Sequence, residues 1–228
     1  FRIYYHFCYT VPMEDQKQSG DFVHLHVHSH YSLLNAIPTP DELAKKAKEL
    51  GMSALGLTDN GGLYGVIDFY KACTKQGIKP IIGVDAHLAP RTRFDREANI
   101  DKPRARVVLL AKNNAGYVNL IKMVTESYVN GFYYRPRLDH ALIEQYHKDL
   151  VCILPSFSGE TTLALKDGDE EKAGQLLDWH RSLFGDDCYL EVTSHPEIPD
   201  LAPLQKKIEA FSTKTRVPLL AQHDVYYL

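Results

Sequence analysis

The chain has 228 residues, of which 44% are hydrophobic and 24% charged, the composition of an ordinary globular domain with a substantial core. Its 26 Lys and Arg residues against 29 Asp and Glu give a net charge of −3. This balance excludes a strongly basic nucleic-acid footprint for the chain as a whole, although not a local basic patch. No apolar run approaches the ~18 residues of a membrane span.

The four cysteines are scattered and form no C-x-x-C pair, which is typical of reduced thiols in a cytoplasmic protein. They are Cys8, Cys73, Cys152 and Cys188. Residues 1–20 have no signal-peptide pattern and are expected to be a disordered extension, with Met13 as the natural start. Residues 21–228 are expected to form one domain. Since the sequence ends at Leu228 directly after an apolar run, we expect it to be a piece of a longer chain.

From residue 21 onward, short apolar runs alternate with helical patterns. The predicted strands are Phe22–His28, Ala54–Thr58, Pro80–Ala86, Arg106–Ala111, Leu150–Leu154, Cys188–Val192 and Val217–Ala221. The first predicted helix begins with a capping box, Thr39-Pro40-Asp41-Glu42, and ends at Gly51. Further helices are predicted at Leu63–Lys75, Ala115–Val129, His140–His147, Glu170–Phe184 and Leu201–Thr213.

Seven strands with mostly helical connections predict an α/β protein with a parallel sheet, and the count favours a barrel over an open sheet. The polar segment Arg91–Arg104 is expected to be an irregular surface excursion after the third strand. In a barrel of this kind, functional residues lie at the carboxyl-terminal ends of the strands.

The histidine cluster His24-Leu25-His26-Val27-His28-Ser29-His30 is the most unusual stretch. Side chains alternate along a strand, so His24, His26 and His28 are expected on one face, about 7 Å apart, with Leu25 and Val27 on the other. Two such imidazoles can bind one metal ion. The alternative is that they are hydrogen-bonded polar residues that fill the barrel mouth.

Other strands end in potential metal ligands as well. The candidates are Asp59, Asn60, Asp85, His87, Glu191, His195, His223 and Asp224. Each alone is a weak signal, because Asp after a strand is often a cap or a turn residue. Together they form a ligand set that suits zinc, manganese or iron.

Several motifs then identify a family resemblance. HLHVHS, TDNG, GVDAH, GFYYRPRLD and AQHDVYYL resemble the PHP (polymerase and histidinol phosphatase) domain, and within it the domain at the N-terminus of bacterial DNA polymerase III alpha subunits. The likeness runs from about Asp21 to Leu228. It implies a (β/α)7 barrel, a distorted TIM-like PHP fold, which agrees with the strand count.

The resemblance also implies a trinuclear metal site, much of which is substituted here. His26 and His28 match the H-x-H pair, Asp85 stands where the family has Glu, and Asp224 is retained, so that these four form one metal position. The other family ligand positions are occupied by Asn35, Asn60, Arg106, Ser156 and Tyr226. His30, Asp59 and His195 remain as substitute ligands or neighbours of the ligands.

These substitutions predict one divalent ion (Zn, Mn or Fe) or none. A guanidinium cannot bind a metal, but Arg106 could replace the charge of a second ion through a charge-assisted hydrogen bond to Asp85. Multi-metal hydrolysis needs ions that activate water and hold the leaving oxygen. Catalysis by the domain itself is therefore not expected.

The resemblance implies that the parent protein is a DNA-directed DNA polymerase that uses Mg in a palm domain beyond residue 228. This segment would then support the polymerase core and dock the proofreading exonuclease and other replisome subunits, with DNA contacted through the parent chain and no membrane involved. The alternatives are a stand-alone PHP metallophosphoesterase and a non-catalytic interaction module.

Two basic features could contact DNA or a partner protein. The first joins Arg91, Arg93 and Arg96 with Lys102, Arg104 and Arg106, and the second joins Arg135 and Arg137 with Tyr133 and Tyr134. Aromatic and arginine side chains suit both nucleic-acid stacking and protein interfaces. The acidic overall charge favours an interface within the parent chain.

Overall fold

A computed structural model describes residues 22–102, 105–195, 198 and 201–228. The predicted N-terminal extension and Arg104 lie outside these residues. The strands are β1 (Ala54–Leu57), β2 (Lys79–Leu88), β3 (Ala105–Ala111), β4 (Arg137–Leu138), β5 (Leu150–Leu154), β6 (Cys188–Val192) and β7 (Leu219–Ala221). The helices are α1 (Pro40–Glu49), α2 (Val66–Gln76), α3 (Asn114–Val129), α4 (His140–Tyr146), α5 (Glu160–Asp167), α6 (Glu170–Phe184) and α7 (Leu201–Thr215).

Local sequence signals account for most helix ends. The predicted capping box is confirmed at α1, where the Thr39 side chain accepts from the Glu42 amide and the Glu42 side chain accepts from the Thr39 amide. Helix α6 has the predicted bounds. Helix α5, capped by Gly168 in the left-handed region, was not predicted, because Thr161 and Thr162 interrupt its apolar pattern and are themselves buried.

The strands form one curled sheet in the order β1-β2-β3-β5-β6-β7, with β4 beside β2. The predicted parallel sheet is found except at β3, which runs antiparallel to both β2 and β5. No helix connects β2 to β3 in the described part of that link, so the chain reverses direction there. The remaining neighbours pair in parallel, as crossover helices require.

The predicted first strand is only partly formed. Residues 24–28 hydrogen-bond to β1 and Thr58 through the carbonyls of His24 and Val27, and to the segment after β7 through His26 and His28. This double contact joins the two sheet edges into a barrel. The chain bends at His26, so Leu25 packs in the barrel interior while Val27 packs against α1. The expectation that these two share a face is therefore wrong.

Strand alternation decides which side chains face the barrel interior. On β3, Val107 and Leu109 pack against the helices, whereas Val108 and Leu110 join the interior cluster. Arg106 has the parity of Val108 and so points inward. No helix among the described residues is long and apolar enough to cross a membrane.

Candidate metal centre

Four of the predicted ligands meet at the carboxyl-terminal end of the barrel. His26 Nε2 lies 3.4 Å from both Asp85 Oδ2 and Asp224 Oδ1, and His28 Nε2 lies 3.2 Å from Asp85 Oδ2. His26, His28 and Asp85 are fully buried, and the Asp224 side chain is 13% exposed. In the described part of the chain, His26, His28 and Asp85 are the group that offers donor atoms within 4.8 Å of one another.

Arg106 enters this cluster from β3. Its Nη1 donates to Asp85 Oδ2 at 2.5 Å and its Nη2 to Asp224 Oδ2 at 3.2 Å. The predicted contact between Arg106 and Asp85 is therefore confirmed. A guanidinium that joins two carboxylates supplies fixed positive charge at the position where the sequence suggested that a metal ion had been lost.

Each aspartate gives one oxygen to Arg106 and keeps the other without a donor. Asp85 Oδ1 and Asp224 Oδ1 are buried and have no hydrogen bond in the structure. Although Asp224 Oδ1 lies 3.2 Å from His28 Nδ1, the angles do not make a hydrogen bond. Buried carboxylate oxygens without a partner are costly, so the site suits a further cation.

The donor atoms of His26, His28 and Asp85 lie close enough together to hold one metal ion. Ligand atoms bound to zinc at 2.0–2.1 Å lie about 3.3 Å from each other. His26 Nε2 and His28 Nε2 lie 3.4 and 3.2 Å from Asp85 Oδ2, and His26 Nε2 lies 3.4 Å from Asp224 Oδ1. His28 faces Asp224 with its other ring nitrogen, Nδ1. Two imidazoles and two carboxylates are also a common donor combination for zinc, manganese and iron.

Glu191 belongs to the cluster but was not in the predicted ligand set, although its place at the end of β6 had marked it as a candidate. His26 Nδ1 donates to Glu191 Oε2 at 2.7 Å, and the other carboxylate oxygen accepts from the amide and hydroxyl of Ser156 at 3.2 and 3.1 Å. This bond turns His26 Nε2 toward the aspartates, the arrangement that holds metal-binding histidines in many proteins. Ser156, which the family resemblance places at a substituted ligand position, thus supports Glu191.

The electrostatics follow from these contacts. Burial alone would lower the pKa of His26, but the carboxylates of Glu191 and Asp85 raise that pKa well above its usual range. Burial would raise the pKa of Asp85, but Arg106 and the two histidines hold it well below its usual range. In the absence of a metal ion, His26 and Arg106 are thus the cations that balance the carboxylates.

The other substituted positions differ in where they lie. Asn60 Oδ1 and the Tyr226 hydroxyl each accept from Arg106 Nη1 at 3.1 Å. The Tyr226 ring also stacks on His28, with centroids 4.2 Å apart. Burial raises the pKa of Tyr226 to about 12, so its hydroxyl stays protonated and donates to Asp224 at 3.3 Å. Asn35 lies exposed in a turn.

The three residues considered as substitute ligands make other contacts. Asp59 accepts from the Ser29 amide and hydroxyl and from the Ser32 hydroxyl, at 2.7 to 2.8 Å, and so fixes the loop after His28. His30 packs on Tyr31. His195 stacks on His223, with centroids 4.3 Å apart.

The fold and the site together define an α/β barrel with a buried histidine–carboxylate cluster at its mouth. A protein from Bifidobacterium adolescentis regarded as a metal-dependent phosphoesterase has this fold, with a TM-score of 0.60 at 11% identity, over 90% of this chain and 87% of that one. An amidohydrolase from Chromobacterium violaceum has a TM-score of 0.52 at 13% identity, over the same shares of the two chains. At these identities the likeness shows the fold alone.

Comparison of the sequence with known proteins identifies the family to which this barrel belongs. The PHP domain model matches residues 24–195, and the chain belongs to the PHP domain family. It is 40% identical to the DNA polymerase III subunit alpha of Aquifex aeolicus over 216 residues, and 40% identical to that of Borreliella burgdorferi over 209 residues. These matches cover 92% and 91% of this chain but only 18% of each relative.

Proposed function

We propose that the chain is the PHP domain of a DNA polymerase III alpha subunit, a protein that carries out template-directed DNA synthesis from deoxynucleoside triphosphates in the cytoplasm. The identity of 40% over nine-tenths of the chain supports this assignment. In this proposal, the polymerase chemistry and its Mg ions belong to another part of the parent chain. DNA is contacted through that parent chain.

Within the parent protein, the domain has a structural role and docks other subunits. Its partners would be the polymerase core of the same chain, the proofreading exonuclease subunit and other replisome subunits. The observation that supports a non-catalytic role is the position of Arg106, whose guanidinium bonds to both aspartates. With this guanidinium in place, the proposed cluster holds one ion, whereas multi-metal hydrolysis needs at least two.

In this proposal, His26, His28, Asp85 and Asp224 hold one divalent ion, with Zn, Mn or Fe as the candidates. A bound ion would act as a Lewis acid and balance the carboxylate charge. Glu191 orients His26, Asn60 and Tyr226 hold Arg106, and Arg106 neutralises one oxygen of each aspartate. The same contacts tie β2, β3, β6 and the segments beside β1 and β7 together at the mouth.

Elemental analysis of the purified chain tests the metal proposal. We expect about one ion per chain in the wild type and none in a His26→Ala/His28→Ala variant, with no phosphatase activity on p-nitrophenyl phosphate in either protein. Three ions per chain with such activity would instead support a stand-alone metallophosphoesterase.

The reading frame after Leu228 tests the polymerase assignment separately. We expect a continuation of many hundreds of residues that includes closely spaced aspartates. A stop codon directly after this domain would contradict the assignment and favour an isolated module. Co-purification with the proofreading exonuclease subunit from the same organism tests docking, and failure to co-purify with the full parent chain would refute it.

A further inference from the structure

Arg137 on β4 is completely buried, although it belongs to a basic sequence feature expected at a surface. Its guanidinium donates to four main-chain carbonyls, those of Gly131, Asp101, Arg93 and Asp95, at 2.9 to 3.0 Å. One planar group thus fixes two separate loops, residues 91–102 and 131–136. The two loops form one unit.

Several side chains next to the four bonded carbonyls are exposed on the outside of the unit. Phe94 lies between two of the bonded carbonyls, Ile100 and Lys102 flank the third, and Phe132 follows the fourth. Phe94, Ile100 and Phe132 are 58%, 50% and 50% exposed. Their neighbours in sequence all bond to one guanidinium, which fixes the main chain that carries these three side chains.

Tyr134 lies in a strained turn of the second loop. Its φ is +59°, in the left-handed region that a tyrosine seldom adopts, and the Tyr133 amide donates to the Arg135 carbonyl across it at 3.0 Å. The Tyr134 ring is 59% exposed, and the Lys102 ammonium lies 5.3 Å from its centroid. Strain of this kind persists where the surrounding structure holds it in place.

The charges of the two loops are not balanced. Arg91 pairs with Asp101 and Glu97, and Arg93 with Asp139, so these arginines are used within the fold. Among the residues that the structure describes, no carboxylate forms an ion pair with Arg96 or Arg135, and both side chains are exposed. Two exposed cations without an ion-pair partner, next to exposed rings, suit a partner that is anionic and presents flat groups.

We propose that this surface binds single-stranded nucleic acid, in addition to the structural role proposed above. We call it the aromatic–basic surface, and it consists of Phe94, Arg96, Ile100, Lys102, Phe132, Tyr134 and Arg135. Bases stack on the exposed rings, and phosphates meet the cations. Strand β4 pairs with β2 at His87, which in turn faces Arg106 across β3, so the bound strand lies at the edge of the barrel mouth.

Fluorescence anisotropy with a labelled 12-nucleotide oligo(dT) tests the proposal on the 228-residue chain at 50 mM salt. We expect saturable binding that weakens at least about fivefold when Phe94→Ala or Tyr134→Ala removes one stacking ring. The Arg96→Ala/Arg135→Ala variant should lower the slope of log Kd against log salt by about 1.4, because two phosphate contacts are lost. These side chains are exposed, so thermal unfolding should match that of the wild type.

Matched controls come from exposed side chains elsewhere. Tyr70→Ala on α2 and Lys206→Ala on α7 should leave the affinity unchanged. Two results would overturn the proposal. The first is the absence of oligo(dT) binding at 1 mM chain, or a loss of affinity in the control variants that equals the loss in the ring variants. The second is tighter binding of a labelled Glu- and Phe-rich peptide than of oligo(dT), which would assign the surface to an acidic protein segment.

Discussion

Replacing Arg106 with alanine removes the cation that joins the two aspartates of the candidate metal centre. Asp85 is fully buried, and the Arg106 side chain is 17% exposed. In Arg106→Ala, Asp85 Oδ2 and Asp224 Oδ2 lose this donor. Asn60 and Tyr226 lose a hydrogen bond as well.

The expected loss of stability in Arg106→Ala follows from the burial of the ion pair that the substitution breaks. Removing one partner of a buried ion pair costs about 3–5 kcal/mol. His26 remains beside Asp85, and the partly exposed Asp224 can meet water, so we expect the lower end of this range, about 3 kcal/mol. Because the variant has one positive charge fewer among the same carboxylates, we also expect it to bind a divalent ion more tightly.

Urea unfolding with a chelator and with added Zn²⁺ measures both effects. In chelator the variant should be less stable than the wild type by the amount above, and zinc at 100 times its Kd should restore about 2.7 kcal/mol. Arg135→Ala is the matched control. It also removes an arginine near the barrel mouth, but one without a carboxylate partner, and should change stability by less than about 0.5 kcal/mol.

Two results would refute this reasoning. If Arg106→Ala in chelator is as stable as Arg135→Ala, the guanidinium does not balance buried charge. If zinc binds the wild type and Arg106→Ala with equal affinity, Arg106 does not act as the second cation of the site.

Three further predictions concern other contacts. Glu191→Ala should weaken zinc binding about 10- to 100-fold, because it frees the ring of His26; unchanged affinity in equilibrium dialysis would show that this bond has no orienting role. Arg137→Met leaves four carbonyls without their donor and should lower the free energy of unfolding by about 3–5 kcal/mol in urea titrations, and a loss below about 1 kcal/mol would mean that water replaces the guanidinium. Burial lowers the pKa of His140, but its hydrogen bond to Glu160 outweighs this and raises the pKa above the ordinary value. The hydrogen bond between His140 and Glu160 therefore stabilises the fold fully below about pH 6.5. This stabilisation is lost as the pH rises through the raised pKa of His140. The stability difference between wild type and Glu160→Gln should shrink over that interval, and a difference that grows with pH would contradict the assignment.

The sequence predicted most of the local elements and much of the histidine–carboxylate cluster. The capping box at Thr39 and the bounds of α6 depend on near neighbours along the chain, and such signals are readable without a structure. The H-x-H pattern and the strand-end aspartates predicted which side chains would meet, because strand ends converge at one mouth of a barrel. The contact between Arg106 and Asp85 followed from the same pattern and the family resemblance.

Only the tertiary structure decided the features that depend on distant residues. Strand β3 runs antiparallel because its connection to β2 contains no crossover helix in the described residues, which strand composition does not reveal. Glu191 meets His26 across 165 residues of sequence, once the barrel has closed. The basic sequence around Arg137 predicted a surface position for this residue. It is buried instead, because two loops supply its guanidinium with four carbonyl oxygens. Periodicity encodes which face a residue takes within its own element, whereas barrel closure and loop packing determine which faces meet.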